Sequence, residues 1–210
     1  MGALREKHLF DFDAGRPSLD FVNTLSGLRG VRPVERVTEY ADLAFWARQL
    51  GVIDRRKMAE LLEQAALHPR RAGQALVEAL AAREALHDVV VAAIEGREPL
   101  PLALEVVNAW IARALQHRRL RPAGAGRYQA VFEDDGDLIA FLRPIALDAA
   151  DLLEHGLQGG RVRRCQQAAE GRCGWLFLDE TRNHSRRWCS MKECGNQAKQ
   201  RRHWRRHREG

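Results

Sequence analysis

All four cysteines of the chain lie in its last quarter, at Cys165, Cys173, Cys189 and Cys194, in the spacing C-x7-C-x15-C-x4-C. Cysteine used only as two close pairs, about a hairpin apart, reads most simply as one tetrahedral metal site. Thiolates are soft ligands, so four of them select zinc, or less often an iron–sulfur cluster, over hard cations. Such a site constrains the fold strongly, because a segment this short cannot build a sufficient core and uses one metal in its place. The plain alternative, four free buried thiols, needs all of them to fall in one short stretch by accident. Another alternative exchanges one cysteine for His184 or His203. Four sulfur ligands leave zinc no open coordination position, so the expected Zn2+ is structural.

Charge is divided along the chain. Residues 161–210 hold 14 Lys and Arg against 5 Asp and Glu, whereas residues 1–160 hold 20 against 23. The overall charge of +6 therefore conceals a basic end attached to a near-neutral body, a pattern that points to an anionic partner. No run of about 18 apolar residues exists, so no membrane span is expected. Met1–Phe10 lacks the apolar stretch of a secretory signal, and cysteines intended for metal fit the cytoplasm, which is the expected location. His-Glu-x-x-His, Gly-x-Ser-x-Gly and phosphate-binding glycine motifs are absent from the sequence, and no catalytic role is expected.

Most of the first 120 residues read as helices, starting at Pro17-Ser18-Leu19-Asp20. Thr38 is placed to cap a helix that Gly51 ends, Asp54 caps the next, and Pro69 opens a long one closed by Gly96. A further helix starts near Pro101. Pro122–Gly126 reads as a linker, and Tyr128–Phe132 with Leu138–Leu142 reads as a hairpin across Asp134-Asp135-Gly136. Pro144–Leu157 reads as a last helix, with a boundary at Gly159-Gly160. The expectation is a mainly α chain: a helical domain over 1–160 with one hairpin, then a zinc finger over 161–210. In that finger Trp175–Leu178 pairs with Arg186–Trp188, and Ser190 starts a helix towards Arg208, a treble-clef or zinc-ribbon plan.

On that helix Lys199, Arg201, Arg202, Arg205, Arg206 and Arg208 cover one half of the cylinder, and Arg186 and Arg187 lie just before Cys189. A half-cylinder of cations repels itself unless anions meet it, and nucleic-acid phosphate is the expected anion. Duplex DNA is the first choice of partner and RNA the second. A solvated basic tail is the bland alternative. A membrane-surface helix fits less well, with Trp204 as its one apolar anchor.

Cys173-Gly-Trp-Leu-Phe-Leu-Asp179, Arg182-Asn183, Ser185–Met191 and Cys194-Gly195-Asn196 resemble the CGNR-type zinc finger. Leu19–Thr24 and Tyr40-Ala41-Asp42-Leu43, followed by Trp46 and Gly51, are similar to the ABATE-like domain that precedes that finger. The resemblance implies a stress-induced transcriptional regulator with a helical N-terminal domain and a zinc-binding, DNA-binding C-terminus. The chain departs from the signature at Gln197, where the family has arginine.

A regulator joins a reader to a sensor, so a small-molecule effector among the helices is a reasonable expectation. Asp20, Asn23 and Thr24 are its polar candidates. Their structural alternative is stronger, because Asp20 suits a first helical turn and Asn23 and Thr24 can bond to nearby backbone. An adaptor acting through the helical domain is a further alternative.

Overall fold

The computed structural model describes residues 10–208, apart from the side chains of Arg205 and Arg206. Two compact units result, one made of residues 37–154 and the other, among the described residues, of 10–36 together with 155–208. The chain is mainly helical with small antiparallel hairpins, as its sequence implies. No helix among the described residues is long and apolar enough to cross a membrane.

The 37–154 unit is built on five helices: α2 (Tyr40–Gln49), α3 (Arg55–Leu67), α4 (Pro69–Glu95), α5 (Pro101–Gln116) and α6 (Arg143–Asp151). Their starts follow the sequence signals closely. Asp54 accepts the Lys57 N–H at 2.7 Å, and proline opens α4 and α5, where its missing donor costs nothing. At α2 the cap is Glu39 rather than Thr38. Asp42 accepts from both the Thr38 and Glu39 N–H groups, at 2.9 and 3.1 Å, and completes a capping box. Gly96 closes α4 at φ 66°, a left-handed conformation that glycine adopts without strain. Leu43 and Trp46 of α2, Leu86 and Val90 of α4, Val107 of α5 and Ile145 of α6 are buried in the core.

The hairpin of this unit differs from the expected one. Strand β3 (Arg118–Pro122) pairs with β4 (Tyr128–Phe132), from Arg118 opposite Phe132 to Pro122 opposite Tyr128. The glycine-rich segment after Pro122 is therefore the turn and not a linker. Strand β3 is exposed throughout and bears three arginines, so it lacks the apolar alternation by which strands are recognised. Leu138–Leu142 instead buries Leu138, Ile139, Phe141 and Leu142 on the approach to α6. The acidic turn before it is held by its own carboxylates, which accept the N–H groups of Gly136, Asp137 and Ile139.

The second unit contains α1 (Pro17–Val22) and a hairpin of β1 (Leu25–Leu28) with β2 (Arg32–Glu35). It continues with a hairpin of β5 (Val162–Arg164) and β6 (Leu176–Leu178), and ends in α7 (Asn196–Arg208). Helix α1 packs against β6. Here too the pairing departs from expectation, since β6 pairs with β5 and residues 186–188 form no strand. The reason lies in Asp179. Its buried carboxylate accepts from the Thr181 and Arg186 N–H groups at 3.0 and 2.9 Å, which folds the chain into a compact loop after β6.

Candidate metal centre

Strands β5 and β6 position the first two cysteines. Cys165 follows β5 directly, and its N–H donates to the Trp175 carbonyl at 2.8 Å. Cys173 lies at the far end of the same connecting loop, which runs through a short helical turn over Gln166–Glu170. The wide x7 spacing thus accommodates a helical turn inside a knuckle. Cys189 follows the loop organised by Asp179. Cys194 falls in the single wide turn Met191–Gly195 that leads into α7, where the Gly195 N–H donates to the Ser190 carbonyl at 2.9 Å.

All four cysteines are buried, and their sulfurs lie within 4.8 Å of one another. Cys173 Sγ is 3.7 Å from Cys189 Sγ, which is 3.6 Å from Cys194 Sγ. A zinc–sulfur bond of about 2.3 Å in tetrahedral geometry gives sulfurs about 3.8 Å apart, so the donor set fits one zinc ion. Neither histidine alternative joins this group. His184 Nδ1 lies 3.2 Å from the Asp179 carbonyl oxygen, and His203 lies beside His207.

The thiols cannot ionise independently at such distances. Hydrogen bonds from Cys173, then Cys189 and Cys194, hold the Cys165 thiol far below the ordinary thiol range. Cys189 and Cys194 are pushed upward, foremost by Cys165, with burial adding to the effect. Cys173 is also held below the ordinary thiol range, so two sulfurs ionise readily while Cys189 and Cys194 resist, and a bound dication is what allows the full set to become thiolate.

The surroundings reinforce the site. Phe177 is fully buried against the cysteines, and Trp175 and Trp188 pack beside them. Buried Gln167 donates through Nε2 to the Cys194 carbonyl. The Arg186 guanidinium lies 4.4 Å from the Phe177 ring centroid and donates to the carbonyls of Asp13, Trp188 and Cys189. These contacts fix the backbone that carries the sulfurs, much as hydrogen bonds behind metal ligands do generally.

The profile of the ABATE family, described as "Putative stress-induced transcription regulator", matches residues 15–156, and that of the CGNR zinc finger matches residues 161–207. The chain belongs to the ABATE family. Within this ABATE protein the finger match covers all four cysteines, and together the match and the buried cluster establish zinc as its metal. A search of curated proteins returned no match.

The remaining residues singled out in the sequence separate into distinct groups. Arg187, Lys199 and Arg202 are exposed. Arg201 is turned inward, its Nε 3.1 Å from a Glu170 carboxylate oxygen. Arg186 is engaged with backbone carbonyls as described. The side chains of Arg205 and Arg206 lie outside the described residues. Asp20, Asn23 and Thr24 are all buried and bonded within the protein. Asp20 accepts the Ala14 N–H at 3.1 Å, and the Thr24 hydroxyl donates to the Phe21 carbonyl at 2.7 Å. Asn23 bonds to the Leu176 backbone through both ends of its amide. Sequence reasoning missed Gln167, which carries no recognisable signal. It also missed the organising role of Asp179, although that residue ends one of the finger motifs.

Proposed function

We propose that this ABATE protein is a regulator that binds duplex DNA through α7, with zinc as a structural ion and no catalytic step. One observation carries the reading. Helix α7 is anchored at its start by Cys194 and bears Lys199, Arg202 and Arg208 exposed, with no carboxylate partner among the described residues. Residues 196–208 contain no acidic residue at all. The ion orients the helix, and the helix presents its cations to phosphate. The helical unit is the proposed seat of a small-molecule effector, and the cytoplasm the proposed compartment.

RNA is the second reading, and exposed Trp204 favours it. An indole open to solvent on a basic helix offers an unpaired base a stacking surface. A salt-titrated competition between duplex DNA and structured RNA tests both. Duplex DNA should compete better, and the log–log salt slope should be about −0.9 for each phosphate contacted. Preference for structured RNA would favour the second reading, and binding to neither would overturn both.

A further inference from the structure

The ABATE match includes residues 15–36, yet in the structure these residues belong to the same compact unit as the finger. The edge of β6 away from β5 explains why. Leu176 and Leu178 pair across the hairpin with Arg164 and Val162, but their N–H groups are used on the other side. The Leu176 N–H donates to Asn23 Oδ1 at 3.0 Å, and Asn23 Nδ2 donates to the Leu176 carbonyl at 2.8 Å. The Leu178 N–H donates to the Ala14 carbonyl at 2.8 Å, and the Gly174 N–H donates to the Gly27 carbonyl at 2.6 Å.

The approach at Gly174 is close enough that a Cβ there would stand 2.7 Å from the Gly27 oxygen. Arg186, which supports the Cys189 backbone, also reaches the Asp13 carbonyl at 2.9 Å. A finger beginning at residue 161 would have none of these partners. Buried Leu176 would lose both its backbone partners on that edge, a state that folded proteins avoid.

We infer that residues 10–36 are an integral part of the zinc module, and that Asn23 is the positioning residue that fastens them to it. Asn23 acts at a distance of one residue from the metal cluster. It fixes the backbone of Leu176, and the next side chain, Phe177, belongs to the same buried cluster as the four cysteines. The metal-binding unit is therefore discontinuous in sequence, with the 37–154 helical unit inserted between its two parts. This inference is independent of what α7 binds.

Two measurements on the full-length, zinc-loaded protein test it. In the first, Asn23→Leu keeps the side-chain size but removes both amide bonds. Zinc transfer from this variant to a colorimetric chelator should be about tenfold faster or more, with the helical signal of 37–154 retained. The second needs no variant. Hydrogen exchange is followed in the wild-type chain before and after zinc is stripped with EDTA. Residues 10–36 should lose protection together with 162–178, while α4 keeps its own. Wild-type zinc transfer from Asn23→Leu, or protection in 10–36 that survives chelation, overturns the inference.

Discussion

Asp179 and Arg186 are joined by a hydrogen bond of 2.9 Å from the Arg186 N–H to the Asp179 carboxylate, across the loop that delivers Cys189. The Thr181 hydroxyl and N–H donate to the other carboxylate oxygen, and Arg163 lies 3.5 Å away. Burial alone would raise the acid's pKa, but the hydrogen bonds from Thr181 and Arg186 outweigh it and hold the group below its usual range. A depressed carboxylate pKa contributes stability above the unfolded value, near 3.9, and loses it as pH falls through the folded value. Asp179→Asn replaces one acceptor oxygen with a donor facing other donors. The substitution should destabilise the zinc unit by about 1–3 kcal/mol. Denaturation at neutral pH followed by tryptophan fluorescence checks this, and the difference from wild type should shrink in strong acid.

Two arginines of the finger should behave in opposite ways. Arg186 is engaged with three backbone carbonyls and the Phe177 ring, whereas Arg202 is exposed on α7. Arg186→Ala should speed zinc loss, because the Cys189 carbonyl and its neighbours lose their donor. Lys199→Ala combined with Arg202→Ala should leave zinc content and melting unchanged. If both side chains meet phosphate, the double variant should reduce the salt slope of nucleic-acid binding by about 1.8. An unchanged slope would move the contact surface off these residues.

How much of this was legible in the sequence depended on the type of signal. Helix ends marked by proline, Asp54 and Gly96 could be read in advance, because capping chemistry is local. The cysteine cluster was legible for a related reason: metal ligands are few, and their residue type is distinctive. Strand pairing was not legible. Residues 186–188 look like a strand, but the buried Asp179 carboxylate, seven residues before Arg186, curls them into a loop. Strand β3 looks like nothing in particular, because arginine replaces the apolar residues that mark a buried face. The role of Asn23 was least accessible, since its partner lies 153 residues along the chain. Asparagine in a helix-end sequence carries no sign of so distant a contact.

The helical unit contains a charge cluster that ordinary core patterning does not reveal. Arg143 is almost fully buried and donates to both Asp135 oxygens, at 2.7 and 2.6 Å, and to the Glu133 carbonyl at 2.6 Å. It ties the acidic turn to the start of α6. Arg143→Ala takes the guanidinium away from the Glu133 carbonyl and from the Asp135 carboxylate, and should cost about 3 kcal/mol in stability. Zinc stoichiometry should not change. Thermal melting beside metal analysis of the same sample tests both parts.

The strongest expectation concerns the ion itself. Cys189 stands 3.7 Å from Cys173 and 3.6 Å from Cys194, so its replacement opens the donor set between two neighbouring sulfurs. Cys189→Ser should reduce bound zinc from one per chain to well below stoichiometry. The three remaining thiols then have no common cation, and the Phe177 cluster loses the link that stands in for a larger core. Protons compete with zinc for thiolates, so zinc release should also occur as pH falls, and at a higher pH in the variant than in wild type. Fluorescence should report loss of structure around Trp175 and Trp188, while far-ultraviolet dichroism still shows the helices of residues 37–154. A variant that keeps a full complement of zinc and unchanged tryptophan emission would mean that Cys189 is not a ligand.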